Sequence, residues 1–481
     1  MKPLLLPLLI SLSSIVHLCH SWSPFHDPHM EAGRSVIVQM FEWRFDDIAD
    51  ECERFLGPKG YGGIQVSPPP SEHAVINRSD VQFPWYQRYQ VVSYKLESRS
   101  GTRDQLADMI TRCNKAGVRV YVDVIVNHMT ANLPEVKGSG GSEFNGTNFS
   151  YPAVGYNRSH FNSKEKCGSP DGQIHNWDDY WESRNCELVG LHDLDQSIPF
   201  VKKQLIGHLS DLVRLGVTGF RVDASKHVYP EALVEIMTAV GYLDRSTYGP
   251  GMRPFVYHEC TSGNGMGIMP HDYTGSGRVL NFNYLSELKG VLKKWNNQRL
   301  AYLKNFGHAW GLLLNDDSVT IIDNHDVQRD EQTLSFKDSR LHKMATSFML
   351  AWPYGLPKIM SSYRWPTKFV DGKDVNSWYG PPHEANFTTS RVQFRDNECI
   401  NGWVCEHRWR QIYNMVQLRN VSGTAVVDHW WDNKYQQIAF ARKGKAFIAI
   451  NNEDFPLTQW LQTGLPAGRY CDVITGEVKG E

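Results

Sequence analysis

The sequence predicts an α/β protein whose main part is a (β/α)₈ barrel, the TIM-barrel fold. Its 481 residues exceed what one ordinary hydrophobic core holds, so a barrel with smaller units fits the length. Short β-branched runs end in charged residues within 118–128, 219–227, 255–259 and 319–326. Such runs are typical of buried parallel strands, and a barrel gathers the carboxyl ends of its strands at one rim.

The order of elements along the chain follows this fold. The predicted strands cover 36–41, 63–66, a run ending near Val126, 219–222, a run at Phe255, 278–282, 319–322 and 358–360. The clearest predicted helices cover 46–56, 102–116 and 198–215. Strands that alternate with helices in this way favour parallel pairing.

Two stretches depart from the barrel pattern. Residues 129–191 are rich in Gly, Ser, Asn, Pro and Tyr without a regular period, which predicts a subdomain inserted after strand 3. Beyond 421, short alternating runs predict a small antiparallel β domain. We therefore expect a signal peptide over 1–21, barrel over 22–128, an inserted subdomain over 129–193, barrel again over 194–420, and an incomplete C-terminal β domain over 421–481.

Composition and the amino terminus indicate a secreted protein. A formal net charge of −2 gives no electrostatic footprint for nucleic acid or an anionic membrane. The apolar run 4–18 after Lys2 resembles a secretory signal and is too short to span a bilayer. In an extracellular protein the cysteines are candidates for disulfides. Possible glycan acceptors are Asn77, Asn145, Asn148, Asn157, Asn386 and Asn420.

Acidic residues at the strand ends indicate glycosidic bond cleavage. Asp223, Glu259 and Asp326 each close an apolar run, and such cleavage uses a nucleophilic carboxylate and an acid/base. Arg221, two residues before Asp223 on the same strand face, could keep a nucleophile ionised. The acid must be protonated near neutral pH, so the surroundings of Glu259 should raise its pKa. The alternative is a set of structural ion pairs at the barrel mouth.

Four strand-end segments resemble, in order and content, the signature regions of the alpha-amylases. They are 123–128, 219–227, 257–259 and 322–326. Segments 39–43, 92–95, 360–366 and 403–410 are similar to the animal, chloride-dependent branch. The similarity covers nearly the whole mature chain. It implies a secreted, endo-acting hydrolase of α-1,4 bonds in starch, glycogen and malto-oligosaccharides.

The resemblance also implies roles for individual residues. Asp223 would be the nucleophile, Glu259 the general acid/base, and Asp326 the group that supports the transition state. Residues in substrate-binding positions are Trp85, Tyr86, Tyr89, Gln90, His128, Arg221, Lys226, His227 and His325. Tyr86 stands where vertebrate members usually have a second Trp, so stacking there should be weaker.

Two ions are implied by the same resemblance. The family's calcium positions fall on Asn127, Asp193 and the main chain of Arg184 and His227. Calcium prefers oxygen ligands, including carbonyls. Chloride positions fall on Arg221, Asn324 and Lys358, where Lys replaces the usual Arg. Since lysine lacks the planar fork of arginine, we expect weaker anion binding with some chloride activation.

Further expectations concern the cysteines and one loop. The resemblance implies three disulfides, Cys52–Cys113, Cys167–Cys186 and Cys399–Cys405, with Cys260 a buried free thiol and Cys471 unpaired. The segment 326–333 has no glycine and is expected to lead directly into the next helix. A lid-like substrate contact should therefore be missing.

Other functions remain open from the sequence. An exo-acting α-glucosidase or transglycosylase could use the same barrel, although the animal-type segments argue against it. A catalytically silent carbohydrate-binding relative is the alternative from another class. The transporter heavy chains of this superfamily are excluded, because no transmembrane segment follows the signal. We expect a monomer with no nucleic-acid or membrane partner.

Overall fold

Eight parallel strands close into a barrel in which neighbours in sequence are neighbours in space. The computed structural model describes residues 23–68, 72–134, 136–261, 267–329 and 333–476, so the predicted signal peptide lies outside the described residues. The barrel strands are β1 Ile37–Met40, β2 Gly63–Val66, β3 Arg119–Val124, β4 Gly219–Val222, β5 Phe255–His258, β6 Arg278–Asn281, β7 Ser318–Thr320 and β8 Leu356–Ser361. β8 pairs with β1, which closes the ring.

Amphipathic helices cover the outside of the barrel. They are α1 Phe45–Glu51, α2 Arg103–Lys115, α3 Pro199–Arg214, α4 Pro230–Val240, α5 Phe282–Leu292, α6 Ser339–Ala351 and α7 Arg410–Ser422. In α2, Thr102 and Gln105 form a capping box at the start, and Leu106, Met109, Ile110 and Cys113 are its buried residues. That spacing places the apolar side chains on one face toward the strands.

Short connecting helices lie between the main elements. Three-residue to seven-residue 3₁₀ helices cover Trp85–Tyr89, Arg158–His160, Ser225–His227, Pro270–Ser276, Trp295–Asn297, Leu300–Asn305, His308–Trp310, Asn315–Asp317, Phe336–Asp338 and Glu406–Arg408. Single α-helical turns lie at Lys164–Cys167, Tyr180–Asn185 and Arg245–Tyr248. Trp85–Tyr89 and Ser225–His227 matter most here, because they border the carboxyl rim of the barrel.

The inserted stretch is more ordered than its composition predicts. His128–Ala131 pairs antiparallel with Leu191–Asp193. Val136–Lys137 pairs with Glu143–Phe144, while Glu72–His73 and Val91–Ser93 form a separate pair that precedes the inserted stretch. These strands are two to four residues long, below the length at which a period can be read from sequence.

A three-stranded antiparallel sheet follows the barrel. Its strands are β9 Val427–Asp432, β10 Gln437–Arg442 and β11 Ala446–Asn451, with β10 in the centre. Two small hairpins precede it, Phe369–Val370 with Lys373–Asp374 and Gln393–Arg395 with Glu398–Ile400. All six residues of β10 are buried, so this strand joins the sheet to the barrel's outer helices.

Several predicted bounds were wrong in detail. The helix expected over 46–56 is α1 followed by a π-helical turn, Cys52–Leu56. The third strand ends at Val124, and β7 ends at Thr320 because only Val319 and Thr320 pair with β8. The chain also does not lead directly from Asp326 into a helix, since α6 begins only at Ser339. Residues 330–332 lie outside the described range.

Three disulfides form, with the pairings that the resemblance implies: Cys52–Cys113, Cys167–Cys186 and Cys399–Cys405. Cys260 is a buried free thiol and Cys471 an exposed one. Disulfides of this number are typical of extracellular proteins. Within the described ranges, no helix is long and apolar enough to cross a bilayer.

Candidate active site

One buried arginine organises the carboxylates at the rim of the barrel. Arg221 Nη1 donates to Asp123 Oδ1 at 2.7 Å and to Asp223 Oδ1 at 2.6 Å. Its Nη2 lies 2.6 Å from Glu259 Oε1. Asp123 sits opposite Arg221 in the β3–β4 register, while Asp223 and Glu259 directly follow β4 and β5. Adjacent parallel strands thus deliver three acids to one guanidinium.

The second oxygen of Glu259 is held by the main chain. The amide of Ala224 donates to Glu259 Oε2 at 2.9 Å. Ala224 has φ 48° and ψ 34°, a left-handed conformation that is uncommon for a residue with a Cβ. This turn aims the amide that follows Asp223 at Glu259. One guanidinium and one amide therefore fix the two carboxyls relative to each other.

Burial changes the pKa values of the acids in this cluster. It raises the pKa of Asp223 well above its ordinary value; Arg221 opposes the rise, and Glu259 and Asp123 add to it. Burial and the neighbouring Glu259 raise the pKa of Asp326 to about 7. The Asp326 side chain nevertheless keeps 41% of its surface open to the cleft. Such closely spaced acids titrate as one unit, so the cluster can hold a proton near neutral pH.

An open cleft lies above these acids. A cavity of about 410 Å³ is lined by Trp85, Tyr86, Tyr89, Gln90, His128, Leu188, Val189, Leu191, Asp223, Ala224, Glu259, His325 and Asp326. A second cavity of about 440 Å³ shares Trp85, Tyr86 and Asp326 and adds Phe369 and Trp378. The Trp85 indole is fixed by a 3.0 Å hydrogen bond from Nε1 to the Ser377 carbonyl. Flat aromatic faces beside acids suit a chain of pyranose rings.

The polar ends of several lining residues are tied down inside the protein. Gln90 Oε1 accepts from the Ala131 amide at 2.7 Å. His128 Nε2 donates to the Tyr89 carbonyl at 3.2 Å, and burial lowers the pKa of His128 to about 3. His128 is therefore neutral. These contacts hold the lining in place before any ligand binds, which favours precise orientation.

Three of the predicted substrate-binding residues lie outside this lining. Arg221 is 1% exposed and lies beneath the carboxylates. His227 Nδ1 donates to the Ser183 carbonyl at 2.7 Å, and its ring meets Trp177 edge-on. Lys226 is 7% exposed beside it. The first supports the acids, and the other two border the cleft where the inserted stretch meets the barrel.

The predicted calcium residues converge on a buried carboxylate. Pairing of His128–Ala131 with Leu191–Asp193 brings Asn127 and Asp193 together. Asn127 Oδ1 is buried and accepts no hydrogen bond from the described residues. Burial raises the pKa of Asp193 well above its ordinary value, opposed by the Asn162 amide at 2.5 Å. A free amide oxygen beside a desolvated carboxylate fits a hard cation.

The main-chain positions predicted for calcium lie at the same junction. Arg184 is in the turn Tyr180–Asn185, which is held against the turn Ser225–His227 by the Ser183–His227 hydrogen bond. The described residues contain no group of three or more acidic, histidine or cysteine side chains suited to a metal. Carbonyl and amide oxygens would therefore supply much of this site, as calcium allows.

The predicted chloride residues also lie together. Arg221 and Lys358 are both buried, and burial followed by the nearby Arg221 charge lowers the pKa of Lys358 to about 7. Asn324 Oδ1 accepts the amides of Asp326 and Val327, while its Nδ2 has no partner among the described residues. Two cations and a free N–H group suit a small anion.

Sequence reasoning missed some residues that shape the site. Asp123 lies in a strand-end motif but is not among the predicted site residues, although it binds Arg221. Arg329 is also not among them; its guanidinium donates to the Ser377 carbonyl at 2.7 Å and lies 4.9 Å from the Trp85 ring centre. Its long-range partners give no local sequence signal.

Comparison with known proteins agrees with this geometry. The family profile described as "Alpha amylase, catalytic domain" matches residues 82–360, and "Alpha amylase, C-terminal all-beta domain" matches 428–481. Mouse (Mus musculus) pancreatic alpha-amylase 2a5 is 45% identical over 475 residues, 97% of this chain and 92% of the relative. Ostrich (Struthio camelus) pancreatic alpha-amylase is 46% identical over 466 residues, 95% of this chain and 92% of the relative.

Solved structures give the same result. The crystal structure of alpha-amylase I from Eisenia fetida superposes with a TM-score of 0.89 and 43% identity, covering 92% of this chain and 89% of that one. A variant of that enzyme was solved as a maltohexaose complex, with the same TM-score of 0.89. The chain therefore belongs to the alpha-amylase family of glycoside hydrolases.

Proposed function

We propose that this protein is a secreted, endo-acting alpha-amylase that cleaves α-1,4 bonds of starch, glycogen and malto-oligosaccharides with retention of configuration. The observation that carries the proposal is the shared guanidinium of Arg221, which holds Asp223 and Glu259 together at the floor of an open aromatic cleft. An open cleft accepts the interior of a polymer, whereas an exo-acting enzyme needs a closed end.

The first step forms a glycosyl ester on Asp223. A carboxylate oxygen of Asp223 attacks the anomeric carbon, while the bond to the leaving oxygen breaks and Glu259 gives that oxygen its proton. Arg221 favours the charged form of Asp223 that the attack requires, against the burial that raises its pKa. Glu259 leaves this step as a carboxylate, a form that Arg221 and the Ala224 amide stabilise.

The second step releases the sugar. Glu259 takes a proton from water, the water oxygen bonds to the anomeric carbon, and the ester to Asp223 breaks. Asp326, which reaches furthest into the cleft, is placed to bind sugar hydroxyls as positive charge develops on the ring. His128, Gln90 and His325 would orient the same sugar.

Bound ions would support this site. Asn127, Asp193 and the carbonyls of Arg184 and His227 would hold calcium, which would fasten the inserted stretch to the barrel. Arg221, Asn324 and Lys358 would hold chloride. When bound, that anion would supply negative charge close to the Arg221 guanidinium, which also holds Glu259.

Secretion and domain division are part of the same proposal. The signal peptide at 1–21 and the domain bounds predicted from sequence remain proposals, supported by the disulfides and by the irregular course of the inserted stretch. We also propose a monomer that binds neither nucleic acid nor membrane.

The test is hydrolysis of soluble starch by the secreted protein. Release of α-anomeric oligomers from the polymer, and cleavage of end-blocked malto-oligosaccharides, would support endo-acting retaining hydrolysis. Glu259→Gln should be inactive, while Glu143→Gln, an exposed change in the inserted stretch, should match the wild type. Starch binding by a folded wild type without product would instead support a carbohydrate-binding protein.

A further inference from the structure

A chain of buried polar groups runs from the last barrel strand to the acid cluster. Lys358 Nζ lies 2.6 Å from Gln39 Oε1, and Gln39 Nε2 lies 2.9 Å from His325 Nδ1. His325 Nε2 lies 2.9 Å from the Tyr89 hydroxyl, which lies 3.0 Å from Asp123 Oδ2. Each of these side chains is at most 8% exposed. Because water does not complete these contacts, the protein must settle the direction of each hydrogen bond.

The lysine end of the chain sets one direction. The protonated amine of Lys358 can only donate, so the atom of Gln39 that faces it is the carbonyl oxygen. The Gln39 amide N–H then points at His325 Nδ1. A nitrogen that receives an N–H must offer a lone pair. His325 Nδ1 is therefore unprotonated, and the ring proton lies on Nε2.

The acidic end requires the same direction. Arg221 donates to Asp123 Oδ1 at 2.7 Å and Gln65 Nε2 donates to Oδ2 at 3.3 Å, so both oxygens of Asp123 act as acceptors. Oδ2 also accepts the Tyr89 hydroxyl proton at 3.0 Å. The Tyr89 oxygen is left to accept from His325, which again requires the proton on Nε2. Both ends of the chain select one tautomer.

The ring is also held in position by aromatic contacts. His325 stacks on Phe41 with ring centres 4.8 Å apart and on Tyr89 at 5.3 Å, and it meets Trp85 edge-on at 5.4 Å. A ring flip would put a carbon in the place of each nitrogen and break both polar contacts. The hydrogen bonds then decide which nitrogen carries the proton, and Nε2 lies 3.3 Å from Asp326 Oδ2.

We propose that Gln39, oriented by Lys358, is a positioning residue that fixes His325 as the Nε2–H tautomer, so that this nitrogen donates toward the Tyr89 hydroxyl and Asp326 at the edge of the acid cluster. The kinetic part of this inference rests on the proposed function. The structural part does not, because the tautomer is a property of the free protein. Gln39 adds a residue on β1 to a site whose acids come from later strands of the barrel.

The tautomer is measured directly by nuclear magnetic resonance. The secreted protein is labelled with ¹⁵N-histidine, and long-range ¹H–¹⁵N spectra separate protonated from unprotonated ring nitrogens. The protein has 19 histidines, so His325 is identified by the signal lost in His325→Asn. We expect Nε2 protonated and Nδ1 unprotonated. A wild type with a proton on Nδ1 overturns the proposal, whatever its activity.

Substitution of Gln39 tests the cause. Gln39→Glu keeps the shape and the acceptor for Lys358 but offers a carboxylate oxygen to Nδ1, so Nδ1 should become protonated. Gln417→Glu is the matched control, because it makes the same change at an exposed position of α7. It should leave the His325 signals unchanged. An unprotonated Nδ1 in folded Gln39→Glu overturns the role of Gln39.

Kinetic measurements then distinguish a positioning role of Gln39 from a general loss of structure in the variant. In Gln39→Glu we expect kcat on maltoheptaose to fall about tenfold, with a smaller change in KM, because one oriented hydrogen bond is lost in the transition state. A fall in kcat without any change at Nδ1 counts against the proposal. A wild type that shows the Nε2–H tautomer but does not cleave starch refutes the proposed function alone.

Discussion

The acid cluster and the Asp193 region are both buried, but their negative charge is balanced in different ways. Asp223 and Glu259 share a guanidinium supplied by the chain itself. Among the described residues Asp193 has no ion-pair partner within 4.0 Å and accepts its hydrogen bond from the neutral Asn162 amide. A buried carboxylate without a counter-charge is costly. We infer that the chain itself supplies the cation of the first region, whereas Asp193 depends on a cation from solution.

The largest expected effect comes from a variant that alters the acid cluster and leaves the Asp193 region unchanged. Glu259→Gln should lower kcat on malto-oligosaccharides by about 10³-fold or more, since the general acid and base is removed. The calcium dependence of the melting temperature should stay as in the wild type. Initial rates and thermal unfolding with and without calcium check both statements. Substantial retained activity would remove Glu259 from the mechanism.

The second prediction concerns removal of the cation from the Asp193 region. Chelation of calcium should destabilise the wild type by about 3–4 kcal/mol if calcium is normally present at 100 to 1,000 times its Kd, and thermal unfolding measures the shift. In Asp193→Asn the chelator should have little further effect, because no buried charge remains to be balanced. A variant with full calcium sensitivity would place the cation elsewhere.

The same region predicts a pH dependence with a definite sign. Burial raises the folded pKa of Asp193 above its unfolded value, so between the two the folded state binds more protons. Without calcium, the free energy of unfolding should therefore decrease as pH rises from about 4. Bound calcium, or Asp193→Asn, should remove this contribution. Denaturant titrations at a series of pH values measure the slope.

The smallest expected effect is a pH dependence of chloride activation, which involves Lys358 at the edge of the acid cluster. The pKa of Lys358 is lowered to about 7 by burial and by Arg221, against the opposing charges of Asp123, Asp323 and Glu259. If chloride binds only the protonated amine, its half-activating concentration should rise about tenfold per pH unit above 7. Lys358→Arg should abolish that slope, because arginine stays charged. A slope that persists in this variant would point to another titrating group.

Much of this site could be predicted because its determinants are local. Asp223, Glu259 and Asp326 each end a β-branched run, and a parallel barrel turns that pattern into a shared rim. The network around His325 could not be predicted in the same way. Gln39 and Lys358 are separated by 319 residues, and their contact exists only once the ring is closed.

The ordered parts of the inserted stretch were missed for a different reason. Its strands, such as Leu191–Asp193, are too short to show a period, and their stability comes from packing against the barrel. The π-helical turn Cys52–Leu56 was also missed, although the helix itself was predicted. Cys52, the first residue of this turn, forms a disulfide with Cys113 of α2.

Closure of the ring between β1 and β8 has a consequence for biosynthesis. A nascent chain that stops before Leu356 already contains Asp223, Glu259 and Asp326, yet Ile37–Met40 still lacks one of its two neighbours. We therefore expect activity to arise late, as a single event after most of the chain has left the ribosome, rather than in proportion to the length translated. Appearance of activity during synthesis would mark the moment when the two ends of the barrel meet.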